Sequence, residues 1–254
     1  MDHRPTRQLQ ASHVLALSLA LCALLAPSAQ DLDVVLRAEF PVDLFTVPSE
    51  GPFRSVPDAG WLPVLPSDQA AAALLDEARW VFAGMAWGFD YSYTPSDRAR
   101  ALAERFDITE RGSIAWGEPA LSPVKARIQD MVLYATVQWV PDGSARAELS
   151  AWASADYTSA QGRGSAPAVL GVEDAMVEGR LIPGRLLARR KAVVEACREA
   201  LRAYLRTIER SKPREVRGSF SFASVPRVVL SSGQYMASVR LRVSVSEVIS
   251  YGGY

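Results

Sequence analysis

The stretch from Tyr235 to Ile249 alternates between apolar and polar residues. Val239, Leu241, Val243 and Val245 fall on one side, and Ser238, Arg240, Arg242, Ser244 and Ser246 on the other. A period of two belongs to a β-strand with one dry face and one wet face. Such a strand needs partners in a sheet and a cover for its dry side. Two shorter strands are expected before it, Val216 to Phe222 and Arg227 to Leu230.

Helical spacing supplies the cover. Ala71, Leu74, Leu75, Ala78, Val81 and Phe82 recur along one stripe after a Ser67 or Asp68 N-cap, with Gly84 as a stop. A second helical pattern starts near Val172, breaks at Pro183-Gly184 and runs to about Arg210, with Leu187, Val193, Val194, Cys197, Ala200, Leu201, Tyr204 and Ile208 as its stripe. Thr94-Pro95-Ser96-Asp97 has the form of a capping box and predicts a helix from Pro95 to Phe106. Residues 126–140 and 145–156 alternate on either side of Pro141-Asp142-Gly143-Ser144, which predicts a hairpin turning there. Residues 158–168, rich in Gly and Ser, read as loop. Strands and helices are grouped rather than strictly alternating. The expected class is therefore α+β, an antiparallel sheet with helices packed on one face and a Pro-rich extended N-terminal segment.

Residues 1–30 show a basic start at Arg4 and Arg7, an apolar run from Val14 to Leu25, and the small residues Ala26-Pro27-Ser28-Ala29. This order is that of a cleaved secretory signal peptide. The run falls short of the roughly 20 apolar residues that span a bilayer, so no transmembrane segment is expected after cleavage. Leu19-Ala20-Leu21-Cys22 does not read as a lipidation site, because Leu21 is bulky and Cys22 lies inside the run. Residues 31–66 carry Pro41, Pro48, Pro52, Pro57, Pro63 and Pro66 and read as extended chain, apolar enough at Leu44, Phe45, Phe53, Trp61 and Leu65 to lie against the body. Residues 67–254 read as one α+β domain.

Both histidines, His3 and His13, fall in the signal. Catalysis or metal binding through histidine is then not expected in the mature chain. No cofactor and no metal are expected, and the reading is of a non-enzyme. The residues after the signal carry 26 basic and 27 acidic side chains. Near-neutral charge argues against nucleic acid as a partner. The chain has no Asn and only Lys125, Lys191 and Lys212 beside many Arg. Asn and Lys share A-rich codons, so the arginine excess reads as coding bias. Cys197 alone survives cleavage and reads as a packed thiol. Few cysteines in an exported chain fit a bacterial periplasm or envelope.

Several constellations could carry function. Ser122-Pro123-Val124-Lys125 matches the Ser-x-x-Lys pattern of serine acyl-enzymes acting on peptidoglycan, but the companion Ser-x-Asn and Lys-Thr-Gly patterns are missing. Asp90, Glu104, Glu110, Glu118 and Asp130 could supply paired acids for glycan hydrolysis, although no spacing singles out a pair. Trp87, Phe89, Tyr91 and Tyr93 line one side of a strand and read as core, as an interface, or as a platform for a ligand. Arg198, Arg202, Arg206 and Arg210 share one helix face; they are a solvated row or a contact with anionic lipid or lipopolysaccharide. The leading expectation is a periplasmic or envelope binding or scaffold protein that contacts another envelope protein or itself. The alternatives are a carboxylate-dependent glycan hydrolase and a peripheral binder of anionic envelope lipid.

Overall fold

In the computed structural model, the described residues are 34–44, 67–154, 157–168, 175–177, 180–208 and 213–251. The signal peptide, most of the Pro-rich segment, Arg210 and the last three residues lie outside them. The compact unit spans Val35–Tyr254.

The C-terminal alternation forms β11 (Gln234–Ile249), the spine of a six-stranded antiparallel sheet. One edge of β11 is taken by β6 (Thr158–Pro167), registered from Gln234 opposite Pro167 to Val243 opposite Thr158. The other edge carries β9 (Glu215–Phe222) and β10 (Arg227–Ser231) in succession. Beyond β9 follow β2 (Phe89–Thr94) and β3 (Arg105–Glu110). A second, three-stranded antiparallel sheet has the order β1 (Leu36–Asp43), β5 (Val132–Trp139), β4 (Leu121–Gln129). A short hairpin pairs β7 (Ala175–Val177) with β8 (Arg180–Ile182). The fold is α+β, with three helices among the described residues: α1 (Ser67–Ala86), α2 (Gly143–Trp152) and α3 (Gly184–Ile208).

The dry face of the larger sheet is covered by α3. Ala188, Ala192, Ala196 and Ala200 recur every four residues along the helix, and all are buried. They meet the glycines of β6. A Cβ at Gly162 would sit 2.2 Å from the Ala196 carbonyl oxygen, and one at Gly164 would sit 2.2 Å from the Ala196 nitrogen. Helix and strand are therefore in backbone contact, which only Gly opposite Ala permits. Helix α1 lies between the two sheets. On one side Phe82 meets Phe40 edge-on at 5.5 Å and stacks on Trp139 at 6.4 Å. On the other, Trp80 packs on Phe89 and Phe222.

Four expectations are corrected. No helix forms over Pro95–Phe106. The Asp97 carboxylate accepts from the backbone of Ala99 and Arg100, the Asp97 and Leu102 backbones pair at 2.8 and 2.9 Å, and the chain turns into β3. The side chain that starts a helix also closes a turn, and the pairing of Phe106 with Tyr93 and Ile108 with Tyr91 decides between them. The hairpin turns one strand earlier than expected, at Asp130-Met131, where both residues have positive φ (50° and 58°). The anticipated turn instead starts α2: Asp142 is its N-cap and accepts from the Ala145 nitrogen at 2.7 Å. Trp152, within the expected return strand, instead ends α2 and is 1% exposed. Residues 158–168 are strand, not loop. Ala175–Val177 and Arg180–Ile182 are the β7 and β8 strands where helix was expected. Within the Pro-rich segment, β1 pairs with β5 along its whole length, Pro41 opposite Tyr134. Proline fits there because β1 is an edge strand.

Candidate anion-binding cleft

Alternation in β11 places Ser238, Arg240 and Arg242 on the face away from α3. The neighbouring strands add to it by register. Arg163 of β6 and Arg227 of β10 both lie opposite Ser238, one on each side. Their Cα atoms are thus about 10 Å apart, and Arg240 follows roughly 7 Å further along β11 on the same face. Gln161 lies opposite Arg240.

A bulge opens this surface into a cleft. Phe222 is opposite Leu241 and Arg227 is opposite Ser238, so the four residues 223–226 face only Val239 and Arg240. The excess chain is pushed out of the sheet, which is what a bulge does to the bulged strand. The result is an open cleft of about 480 Å³ whose walls include Gln161, Arg163, Ser224, Arg227, Ser238 and Arg240. Arg163, Arg227 and Arg240 are all exposed. Among the described residues none of the three has an ion-pair or hydrogen-bond partner, whereas other arginines of the chain are matched with carboxylates. Three guanidiniums with hydroxyls and an amide between them can donate many hydrogen bonds to oxyanions.

The residues singled out in the sequence are dispersed. Phe89, Tyr91 and Tyr93 point into the core under α3 and α1 and are at most 4% exposed, so they offer no platform to a ligand. Trp87 precedes β2, packs on Trp139 at 5.7 Å and lies against Gly112. Burial pushes the Tyr91, Tyr93 and Tyr235 hydroxyls well above their ordinary range. The Tyr93 hydroxyl donates to Glu104 at 2.6 Å. Glu104 also lies 3.9 Å from Arg202, and Glu199 lies 3.3 Å from it. Arg198 pairs with Glu195 at 2.7 Å. Arg206 is exposed at the end of α3, and Arg210 is outside the described residues. The helix row is therefore laced with carboxylates at Arg198 and Arg202. Arg163, Arg227 and Arg240, without a carboxylate partner among the described residues, lie on the sheet.

The acid candidates are likewise spread apart. Asp90 is exposed beside Arg111 at 3.7 Å, while Glu110 sits on the other side of the same sheet. Asp130 is in the β4–β5 turn, and Glu118 accepts from the Ala120 nitrogen. Ser122 and Lys125 stand on edge strand β4. Cys197 is fully buried, and burial pushes its thiol up.

The sequence reading missed Arg163 and Arg227 as site residues. A signal for Arg163 was present: Ala160, Gly162, Gly164 and Ala166 alternate with Gln161, Arg163 and Ser165. Their small size hid the period, because Gly and Ala carry little hydropathy contrast.

A model of a protein family of unknown function matches residues 25–251. An uncharacterized protein of Treponema pallidum (strain Nichols) is 25% identical over 175 residues, which cover 69% of this chain and 68% of the relative. No solved structure matches the chain.

Proposed function

We propose, for a chain that belongs to this family of unknown function, a non-catalytic binding role in the bacterial cell envelope, with an anionic group held in the arginine cleft. Export rests on the order of basic, apolar and small residues before Asp31. Among the described residues no helix is long and apolar enough to cross a membrane. The single observation that carries the binding role is the convergence of Arg163, Arg227 and Arg240 on one open cleft, with no carboxylate among the described residues to neutralise them. Like charges held about 7–10 Å apart repel, and an arrangement of this kind is relieved by a bound anion.

The test is stabilisation by pyrophosphate at low ionic strength, read as a rise in melting temperature and as heat of binding. Saturable binding is expected, weakened about tenfold or more by each of Arg163→Gln, Arg227→Gln and Arg240→Gln. Absence of binding, or equal binding by the triple variant, overturns the reading.

A second reading, contact with an envelope protein or with another copy of the chain, is favoured by β4. It ends its sheet, is exposed along most of its length, and presents Val124 and Ile128, the latter 65% exposed. An edge strand with free backbone groups can accept another strand. Size exclusion with light scattering on the chain from Asp31 onward is expected to show a defined oligomer or a bound companion, reduced by Val124→Lys with Ile128→Lys. A clean monomer with no companion rules out this second reading.

A further inference from the structure

Beyond the basic row of the open face lies an apolar one. Met236 of β11 is opposite Val229 of β10, one strand repeat toward the turn from Ser238 and its flanking arginines. Both are on the same face as Arg163, Arg227 and Arg240, by the alternation of β10 and β11. They are 40% and 45% exposed, whereas Leu230, opposite Tyr235, belongs to the other face. The strands then reverse through Ser232-Gly233, both at positive φ, in a tight tip that holds no charged side chain. On this face the order from the tip inward is polar (Ser231 and Gln234), apolar (Val229 and Met236), then basic, with about 7 Å between successive rows. Gln161, Arg163, Ser165, Gln234, Ser238 and Arg240 contribute no acidic group to these rows.

A soluble anion explains the arginines but leaves the exposed Val229 and Met236 pair beside them without a purpose, since exposed apolar side chains gathered together mark a contact. A bilayer surface explains both. Its phosphates lie outside its acyl chains by a distance comparable to the depth, about 5–10 Å, at which interfacial apolar residues settle. We propose that the β6–β11–β10 face docks on an anionic phospholipid surface. The arginine cleft takes the headgroup phosphate, while Val229 and Met236 enter the interface. This inference rests on the cleft being an anion site, and it names the anion's source.

The probe is co-sedimentation of the chain from Asp31 onward with vesicles of phosphatidylcholine alone or mixed with phosphatidylglycerol, at low and high ionic strength. Binding is expected only to the phosphatidylglycerol vesicles and is expected to fall with salt. Each arginine changed to Gln should lower partitioning about fivefold, and the three together about a hundredfold. The triple Arg→Lys variant, which keeps the charge, should retain vesicle binding. Val229→Ser with Met236→Ser should weaken vesicle binding and leave pyrophosphate binding intact. Equal binding to neutral vesicles, or vesicle binding unchanged in the triple Arg→Gln variant, overturns the lipid proposal. So does absence of vesicle binding. If pyrophosphate still binds through the arginines, the cleft serves a soluble phosphate ligand and the broader reading stands. If neither binds, both fall.

Discussion

Tyr91 carries its hydroxyl into the core with no hydrogen-bond partner among the described residues. The ring belongs there: it packs near Phe220 and under α3, and a Cβ at Gly218 would meet its hydroxyl at 2.9 Å. Only the oxygen is out of place, because a buried donor without an acceptor costs more than its absence. Tyr91→Phe is therefore expected to stabilise the protein by about 1 kcal/mol, a rise of roughly 2–4 °C in melting temperature. Loss of stability on calorimetry would mean that an ordered water or an undescribed residue completes the hydroxyl. Tyr93 differs: its hydroxyl has Glu104. At this scale the sequence was informative about which residues are apolar and buried. It was silent on which polar atoms find partners, since Glu104 and Gly218 reach these rings only through the fold.

Among the elements, β6 and α3 show what hydropathy misses. The strand reads as loop because Gly162 and Gly164 carry no side chain. Those glycines admit the helix, and the Ala188–Ala200 stripe matches them from the other side. Adding a methyl here forces backbone apart instead of filling a hole. Gly164→Ala should cost about 1–3 kcal/mol or more in a denaturant melt. Gly143→Ala, at the start of α2 with nothing within 4 Å of the new Cβ, should be neutral or stabilising. Equal effects at the two positions would show that α3 can lift off β6 without loss. The same contrast explains the other misread elements. Asp97 and Asp142 each offer a carboxylate to nearby backbone nitrogens, yet one closes a turn and the other caps a helix. Local chemistry permits both outcomes, and the neighbouring strands choose.

Across the whole molecule, the layers are tied by polar groups at their seams. Arg190 of α3 donates to Glu77 at 2.9 Å and to Asp76 at 2.7 Å, both on α1, and Arg79 shares Asp76 at 3.2 Å. The Tyr235 hydroxyl donates to Asp43, which joins β11 to the last residue of β1. Arg190→Met removes the shared cation and leaves Glu77, only 3% exposed, without it. The expected loss is about 3–5 kcal/mol, recovered in part when Glu77→Gln is added. A calorimetric loss below 1 kcal/mol would show that the seam behaves as a solvated pair. Elsewhere, hydrogen bonds from Arg127, Arg100 and Arg217 hold the Glu39, Asp97 and Glu215 carboxyls below their ordinary values. A depressed carboxyl adds stability that is whole above its ordinary value, about 4, and is lost as pH falls through the folded value. Melting temperature should therefore be flat with pH above about 5 and drop below about 4. A profile that rises on acidification would contradict these pairings.

By itself, the sequence determined the class of fold and the placement of its long elements. Alternation in β11 and the stripes of α1 and α3 follow from periods of two and 3.6 that survive any tertiary context. It did not determine where hairpins turn, that a Gly-rich stretch is a strand, or that Arg198 and Arg202 of α3 meet carboxylates while, among the described residues, Arg163, Arg227 and Arg240 do not. Only the tertiary structure decided these, because register sets which residues of different strands share a face. Arg227 and Arg240 belong to one hairpin while Arg163 comes from β6, far earlier in the chain, and pairing with β11 alone makes them one surface.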